Sequence, residues 1–297
     1  MNKEKNFRSG FVSIIGRPNV GKSTLLNSIL GEKVSIVTPK PQTTRNRIIG
    51  IKTLPDAQII FIDTPGIHKP RHKLGNTMVK TALEAFKEVD IILFITEPQE
   101  PERGDQFIIK LLKEINSPVF LLINKIDTVK KPELLPLINK INELFPFKEI
   151  IPISALKQDG IDILLKKIYD YLPEGPKYYP DDIVTDQLER FMVSEIIREK
   201  ATEMTEEEVP HSIAVEVTEW KERENGIIFI RANIYVERDS QKGIIIGKGG
   251  RMLKAIGTAA RVDIEKLLNT KVFLELWVKV KKDWRDNLKT LEELGYK

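Results

Sequence analysis

Phe11-Val12-Ser13-Ile14-Ile15-Gly16-Arg17-Pro18-Asn19-Val20-Gly21-Lys22-Ser23 sets a short apolar run against a glycine-containing loop, and a helix-compatible stretch follows it. Strand, loop, helix is the context in which such a loop cradles phosphate. Gly16 and Gly21 let the backbone curl until successive N–H groups point inward, and the helix offers its positive end to the same anion. Lys22 supplies a point charge for the outer phosphates, and Ser23 places a hydroxyl on the Mg²⁺ that bridges them. Val20 and Thr24 complete the expected contacts of the loop. A chance match to this pattern somewhere in the chain has odds of roughly one in a hundred, so downstream residues must complete the site.

Asp63-Thr64-Pro65-Gly66 ends the apolar run Ile59-Ile60-Phe61-Ile62, which puts a carboxylate at the carboxyl end of a buried strand, where open α/β sheets bind ligands. Asp63 is expected to hold Mg²⁺ through a water, and the Gly66 amide to meet the terminal phosphate with no side chain in the way. Asn124-Lys125-Ile126-Asp127 follows another apolar run, Val119 to Ile123. The Asp127 carboxylate accepts from the N1–H and N2 amine of guanine; adenine offers neither donor and leaves a desolvated anion unpaired. Asn124 bridges the purine N7 to the loop, and the Lys125 stem lies along the ring. Ser154-Ala155-Leu156, after Ile150 to Ile153, fits a third base contact through the Ala155 amide to O6. Singly, Asp63 and Asp127 are also ordinary turn residues at strand ends. Jointly, three such motifs in this order have chance odds on the order of one in a million, and they point to GTP and GDP rather than ATP.

The 297 residues suit two domains of ordinary size. Cysteine is absent, which excludes disulfides and thiolate metal sites. Met1 to Asn6 lacks the apolar segment of a signal peptide, and no run approaches the roughly 18 apolar residues of a membrane span, so a cytoplasmic protein is expected. The formal charge of +4 is unevenly spread: residues 241–297 hold 13 Lys/Arg against 7 Asp/Glu. That surplus suggests an anionic partner for the C-terminal segment.

Apolar runs near Phe11, Ile59, Ile91, Val119 and Ile150 alternate with helix-length periodic stretches around Leu83-Phe86, Phe107-Leu111 and Leu134-Ile141, which reads as a mostly parallel sheet flanked by helices. The runs 47–53 and 57–63 are joined only by Leu54-Pro55-Asp56, too short for a crossover, so they form an antiparallel hairpin. This arrangement resembles the Ras-like fold of small GTPases. Pro173-Glu174-Gly175-Pro176-Lys177-Tyr178-Tyr179-Pro180 then reads as a stiff extended linker. The expected division is a GTPase domain over 1–172, a linker over 173–182, and a smaller α+β domain over 183–297 with a C-terminal helix. Within the last, the pattern predicts a helix from Gln187 to Ala201, a strand from His211 to Glu219, a turn at Glu224-Asn225-Gly226, a strand from Ile227 to Glu237, a helix from Arg251 to Leu268 and a strand from Lys271 to Val280.

Gly247-Lys248-Gly249-Gly250, preceded by Ile244-Ile245-Ile246, is a GXXG loop between helices. Bare at its ends, it lets a nucleic-acid backbone approach, while Lys248, Arg251, Lys254 and the next helix's N-terminus attract phosphate beside an adjoining apolar groove for the bases, and Ile246 is a further candidate RNA contact. A lone GXXG is equally a tight helix-helix turn; the basic residues and element order favour RNA. That order resembles a type II KH domain.

Together the halves resemble the bacterial Era GTPases, and the likeness spans nearly the whole chain. The resemblance implies a monomeric GTP-hydrolysing switch that binds the 3′ end of 16S ribosomal RNA and assists 30S subunit assembly. Pro41-Gln42-Thr43-Thr44-Arg45 matches the family's effector loop, in which Thr44, with Thr43 as the alternative, supplies a hydroxyl to Mg²⁺. Ile67 stands where Ras-type enzymes carry the glutamine that orients the attacking water, so intrinsic hydrolysis should be slow. Asn19, like the asparagine of related GTPases, is a candidate ligand for K⁺ acting where an arginine finger normally does, unless it only hydrogen-bonds within its loop. Catalysis is therefore assigned to Lys22, Thr44, Gly66 and Asn19. In the tail, Lys281, Lys282 and Arg285 are candidate phosphate contacts, while Trp284, Leu288 and Leu291 recur at helical spacing and read as core. His68, His72 and His211 share no metal-ligand spacing. A second expectation, from the basic C-terminal segment, is a peripheral scaffold on the cytoplasmic face of an anionic inner membrane, active in cell division.

Overall fold

The structure, a computed structural model, describes residues 7–67, 69–70, 72–86, 89–224 and 226–296. His68, the Asn225 corner of the expected turn and the stretch Met1 to Asn6 lie outside the described residues. The chain divides into two compact units, the first built from 7–35, 44–70 and 75–186, the second from 36–43, 72–74 and 187–296.

The first unit runs β1 (Arg8–Ile15), α1 (Lys22–Leu30), β2 (Ile48–Leu54), β3 (Ala57–Asp63), α2 (Lys73–Glu84), β4 (Ile91–Thr96), α3 (Arg103–Leu112), β5 (Val119–Ile123), α4 (Lys131–Asn142), β6 (Glu149–Pro152) and α5 (Ile161–Tyr171). Its sheet has the order β2-β3-β1-β4-β5-β6. Only the β2–β3 pair is antiparallel, with Leu54 opposite Ala57 across the Pro55-Asp56 turn. Every residue of β4 and β5 is buried, because helices cover both faces of the parallel strands and both sets of alternating side chains must be apolar. Each such Ile, Leu or Phe contributes about 1.5–3 kcal/mol by leaving water. Helix α3 buries Ile108, Ile109 and Leu112 in this core, and a capping box between Glu102 and Asp105 satisfies its first amides.

Residues 173–186, read from sequence as linker and the start of the second domain, run along the first unit. Ser9 N–H donates to the Pro173 carbonyl at 3.1 Å and Gly175 N–H to the Phe7 carbonyl at 3.1 Å. Gln58, fully buried, accepts from the N–H groups of Tyr178 and Tyr179 at 2.9 Å each and returns a bond to the Tyr179 carbonyl at 2.9 Å. Farther on, Ile51 N–H donates to the Val184 carbonyl at 2.7 Å and the Thr185 hydroxyl to the Ile49 carbonyl at 2.6 Å, so the outer edge of β2 is paired.

The second unit contains α6 (Glu189–Glu203), α7 (Val209–Ser212), β7 (Ala214–Glu222), β8 (Ile228–Val236), α8 (Asp239–Ile246), α9 (Arg251–Leu268), β9 (Val272–Val280) and α10 (Leu288–Glu293). Its sheet is β7-β8-β9, antiparallel then parallel. Val193 and Ile197 of α6 and Ile256, Ala260 and Ile264 of α9 make stripes at helical spacing over Ile230, Ala232 and Ile234 of β8. The strand expected from His211 begins at Ala214, since Pro210 sits in the first turn of α7, where its missing N–H costs nothing. The register of β7 shifts between Val217 and Glu219, a bulge at Thr218 that plain alternation did not foresee. In the tail Trp284 is fully buried, donates from Nε1 to the Ser212 carbonyl at 2.8 Å and stacks on Tyr296. Leu291 is buried, but Leu288 is 57% exposed, because a 3₁₀ turn over 284–286 and an Asn287 cap at α10 interrupt the expected helical stripe.

Candidate functional site

The phosphate loop joins β1 to α1, as its glycines require. Gly21 has φ 100°, and a Cβ there would lie 2.3 Å from Asn124 Nδ2, so only glycine fits. Lys22 is buried beneath the loop; its Nζ donates to the Arg17 carbonyl at 2.8 Å and the Gly16 carbonyl at 3.3 Å. Burial pushes its amine down to about 8, against the opposing pull of Asp63. Thr24 lies in the first turn of α1.

Beside the loop, four oxygen-bearing side chains converge. Asp63, fully buried at the end of β3, accepts from Ser23 Oγ at 2.7 Å and from Ser35 Oγ at 3.0 Å, and Ser23 Oγ meets Thr44 Oγ1 at 2.8 Å. Its other oxygen, Oδ1, is buried with no hydrogen-bond partner, and burial raises the carboxyl's pKa. Three hydroxyls around an under-satisfied carboxylate form a hard donor set suited to Mg²⁺. Of the two threonines left open by sequence, Thr44 is the one at Ser23. The Thr43 hydroxyl donates to the Lys40 carbonyl at 2.6 Å and meets Thr38 Oγ1 at 2.8 Å, while Arg198 donates to the Thr43 carbonyl within the second unit. Gly66 packs so closely that a Cβ would stand 2.7 Å from Pro18 N. Ile67 points into the core, its amide 3.2 Å from the Gly16 carbonyl.

The base-reading residues collect at the ends of β5 and β6. Asn124, 2% exposed, donates from Nδ2 to the Val20 carbonyl at 2.8 Å and accepts on Oδ1 from Ala155 N–H at 2.9 Å, tying the phosphate loop to the 154–156 turn. Sequence aimed that Ala155 amide at guanine O6; here Asn124 holds it. Lys125 adopts a left-handed conformation with φ 63°, and its Nζ reaches the Asn19 carbonyl at 2.9 Å. Asp127 is solvent-exposed and accepts from Ser154 Oγ at 2.6 Å, which fixes the carboxylate's direction. Leu156 is 73% exposed next to it.

In the second unit, Gly247, Gly249 and Gly250 have φ of 71°, 60° and 77°, and nothing stands within 4 Å of a Cβ at Gly249 or Gly250. The turn leads into a groove of about 440 Å³ between α9 and β9, whose lining includes Gly250, Lys254, Thr258, Arg261 and Leu276. Ile246 ends α8, and Lys248 and Arg251 flank the bare glycines. The tail cations stand differently: Lys281 pairs with Glu293 at 2.9 Å, Arg285 pairs with Glu237, Lys282 is exposed, and none lines the groove.

A family model described as "50S ribosome-binding GTPase" matches residues 11–125, and one described as "KH domain" matches 208–285. "GTPase Era" of Ruminiclostridium cellulolyticum is 57% identical over 293 residues, covering 98% of each chain. The protein of the same name in Geobacter metallireducens is 60% identical over 292 residues, again 98% of each. The chain belongs to the Era family of GTPases. A crystal structure of Era in complex with MgGDPNP and nucleotides 1506–1542 of 16S ribosomal RNA superposes with a TM-score of 0.95 at 46% identity, covering 98% of this chain and 99% of that one. An Era variant from Aquifex aeolicus bound to GDP·AlF4⁻ matches equally well. The Era-family chain is thus a P-loop GTPase joined to a KH domain, as the motifs and element order indicated, and no helix among its described residues is long and apolar enough to cross a membrane.

Sequence reading missed several residues of this Era-family site. Ser35 reaches Asp63 from a loop with no motif of its own, and nothing local marks it. Thr258 and Arg261 could have been found, since they follow Lys254 by four and seven positions on one face of α9.

Proposed function

We propose that this chain is a GTP-driven switch that binds the 3′ end of 16S ribosomal RNA and acts in 30S subunit maturation. One observation carries the reading: the groove of about 440 Å³ beside the open Gly249-Gly250 turn belongs to a chain whose relative was captured with both a GTP analogue and that RNA.

On the nucleotide side, the N–H groups of Gly16 and of Asn19 to Thr24 and the Lys22 ammonium grip the phosphates, and the Gly66 amide faces the terminal one. Ser23 and Thr44 hold Mg²⁺ by their hydroxyls and Asp63 holds it through water; the ion, when bound, neutralises charge on the phosphate oxygens. Asp127, aimed by Ser154, selects guanine, with the Lys125 stem along the ring, Asn124 near N7, and the Ala155 amide shared between Asn124 and O6. Leu156 closes the edge of the base. With Ile67 turned into the core, no side chain at that position orients the attacking water, so hydrolysis is slow. Asn19 is the candidate K⁺ ligand, and equal rates in KCl and NaCl would remove that role.

On the RNA side, Gly247 to Gly250 admit the backbone, Lys248, Arg251 and Lys254 attract phosphate, and bases enter the groove past Ile246 toward Thr258 and Arg261. Lys282 is the tail cation best able to add a phosphate contact; Lys281 and Arg285 must first leave their carboxylates. We place the protein in the cytoplasm as a monomer. Nothing in the site favours the membrane scaffold, and liposome binding stronger than single-stranded RNA binding at matched salt is the result that would revive it.

The deciding experiment is crosslinking and sequencing of bound RNA with and without a non-hydrolysable GTP analogue. Enrichment of the 16S 3′ end is expected; reads spread evenly over ribosomal RNA would overturn the assignment.

A further inference from the structure

Arg17 lies inside the phosphate loop yet its side chain takes no part in the grip described above. Its guanidinium, 14% exposed, ion-pairs with Asp105 at 2.9 Å, Glu102 at 2.8 Å and Glu97 at 3.6 Å. Asp105 is 1% exposed in the first turn of α3, and a Cβ on neighbouring Gly104 would stand 2.6 Å from Arg17 Cδ. The turn is therefore built around this arginine. Glu97, just past β4, faces both ways: one carboxylate oxygen pairs with Arg17 and the other with Lys125 Nζ, which itself reaches back to the Asn19 carbonyl. A carboxylate between two cations on separate loops couples their positions, because shifting either changes its attraction to the other.

We propose that Glu97 is a positioning residue that joins the phosphate grip to the base grip, so that Arg17 and Lys125 move as one unit and Asp127, two residues beyond Lys125, is aimed only when the phosphate loop is in place. Arg17 contributes to guanine selection without touching the base. This inference rests on the guanine-nucleotide reading given above.

The test measures equilibrium binding of GDP, IDP and ADP to the full-length protein by calorimetry. IDP lacks the 2-amino donor that Asp127 accepts, so the GDP-to-IDP affinity ratio reports how well that carboxylate is aimed. Glu97→Gln, nearly isosteric at a 26% exposed position, should reduce the ratio several-fold, and Arg17→Ala should do the same. The double variant should lose no more than either alone, because both break one linkage. Glu97→Asp should restore part of the ratio. Glu102→Gln leaves the Arg17–Glu97–Lys125 link in place, with Arg17 still held by the buried Asp105, and should keep the parental ratio. Should Arg17→Ala fail to fold, Glu97→Gln with its Asp rescue carries the test. An unchanged ratio in Glu97→Gln, or additive losses in the double variant, overturns the proposal. Parental protein that binds ADP as well as GDP would instead overturn the guanine reading.

Discussion

Replacing Ser154 by alanine deletes one hydroxyl and leaves the backbone of the 154–156 turn intact, which isolates the aiming of Asp127. That hydroxyl donates to Asp127 Oδ1 at 2.6 Å and accepts from Lys157 N–H at 3.2 Å. A hydrogen bond to a charged group contributes about 1.5–3 kcal/mol. In the free protein Asp127 is exposed, so water replaces the lost donor at little cost. Once a guanine covers the carboxylate, that water is excluded and the loss is felt in binding. The lower end of the range, about 1.5 kcal/mol, corresponds to roughly tenfold weaker GDP and GTP affinity. ATP offers neither the N1–H nor the 2-amino donor that this carboxylate accepts, so its weak binding should not change and the GTP-to-ATP preference should shrink by the same factor. Calorimetric titration at fixed Mg²⁺, with thermal melting to verify the fold, measures both. A GTP dissociation constant within twofold of the parent would refute the assignment of Asp127 as the base reader.

Other expectations follow from the same geometry. Gly21→Ala forces a side chain to 2.3 Å from Asn124 Nδ2 at φ 100°, a strain of about 1–3 kcal/mol, and should weaken GTP binding at least tenfold by calorimetry. Chelating Mg²⁺ with EDTA should speed release of a fluorescent GDP severalfold, and Asp63→Asn should reduce that dependence; equal release rates with and without the ion would remove the Ser23–Asp63–Thr44 site. Lys254→Ala and Arg261→Ala should each weaken binding of a 16S 3′-end oligonucleotide and, for each phosphate no longer neutralised, flatten its log–log salt dependence by about 0.7. Trp284→Phe removes the donor to the Ser212 carbonyl and should destabilise the second unit by about 1–3 kcal/mol in denaturant melts while leaving GTP affinity untouched.

Much of this molecule is legible wherever local chemistry and tertiary demand coincide. The Leu54-Pro55-Asp56 connection has room for nothing but a hairpin, Asp63 and Asn124 follow apolar runs that can only be buried strands, and α9 spans Arg251 to Leu268 as its periodicity requires. Legibility ends where a residue's partner lies far along the chain. Gln58 is polar within the apolar run of β3, yet it is fully buried because the amides of Tyr178 and Tyr179 satisfy it. Arg17 sits in the phosphate loop with nothing local to mark its partners, and its three carboxylates come from segments 80 and more residues away. Lys281 and Arg285 advertise charge for RNA but meet Glu293 and Glu237, which no spacing rule connects to them. Short helices such as α7 escape periodicity altogether, having too few residues for a repeat to register.

The pairing of 183–185 with β2 bears on how the GTPase half can be prepared alone. A fragment stopped at residue 172, where the motif-bearing part finishes, strips Val184 and Thr185 from the backbone of Ile49 and Ile51 and uncovers the cluster that Tyr179 and Ile183 shield. It would present a bare strand rim with apolar neighbours, the surface on which separate chains stick to one another. A fragment carried through 186 retains its own selvedge and should stay dispersed at concentrations where the shorter piece precipitates.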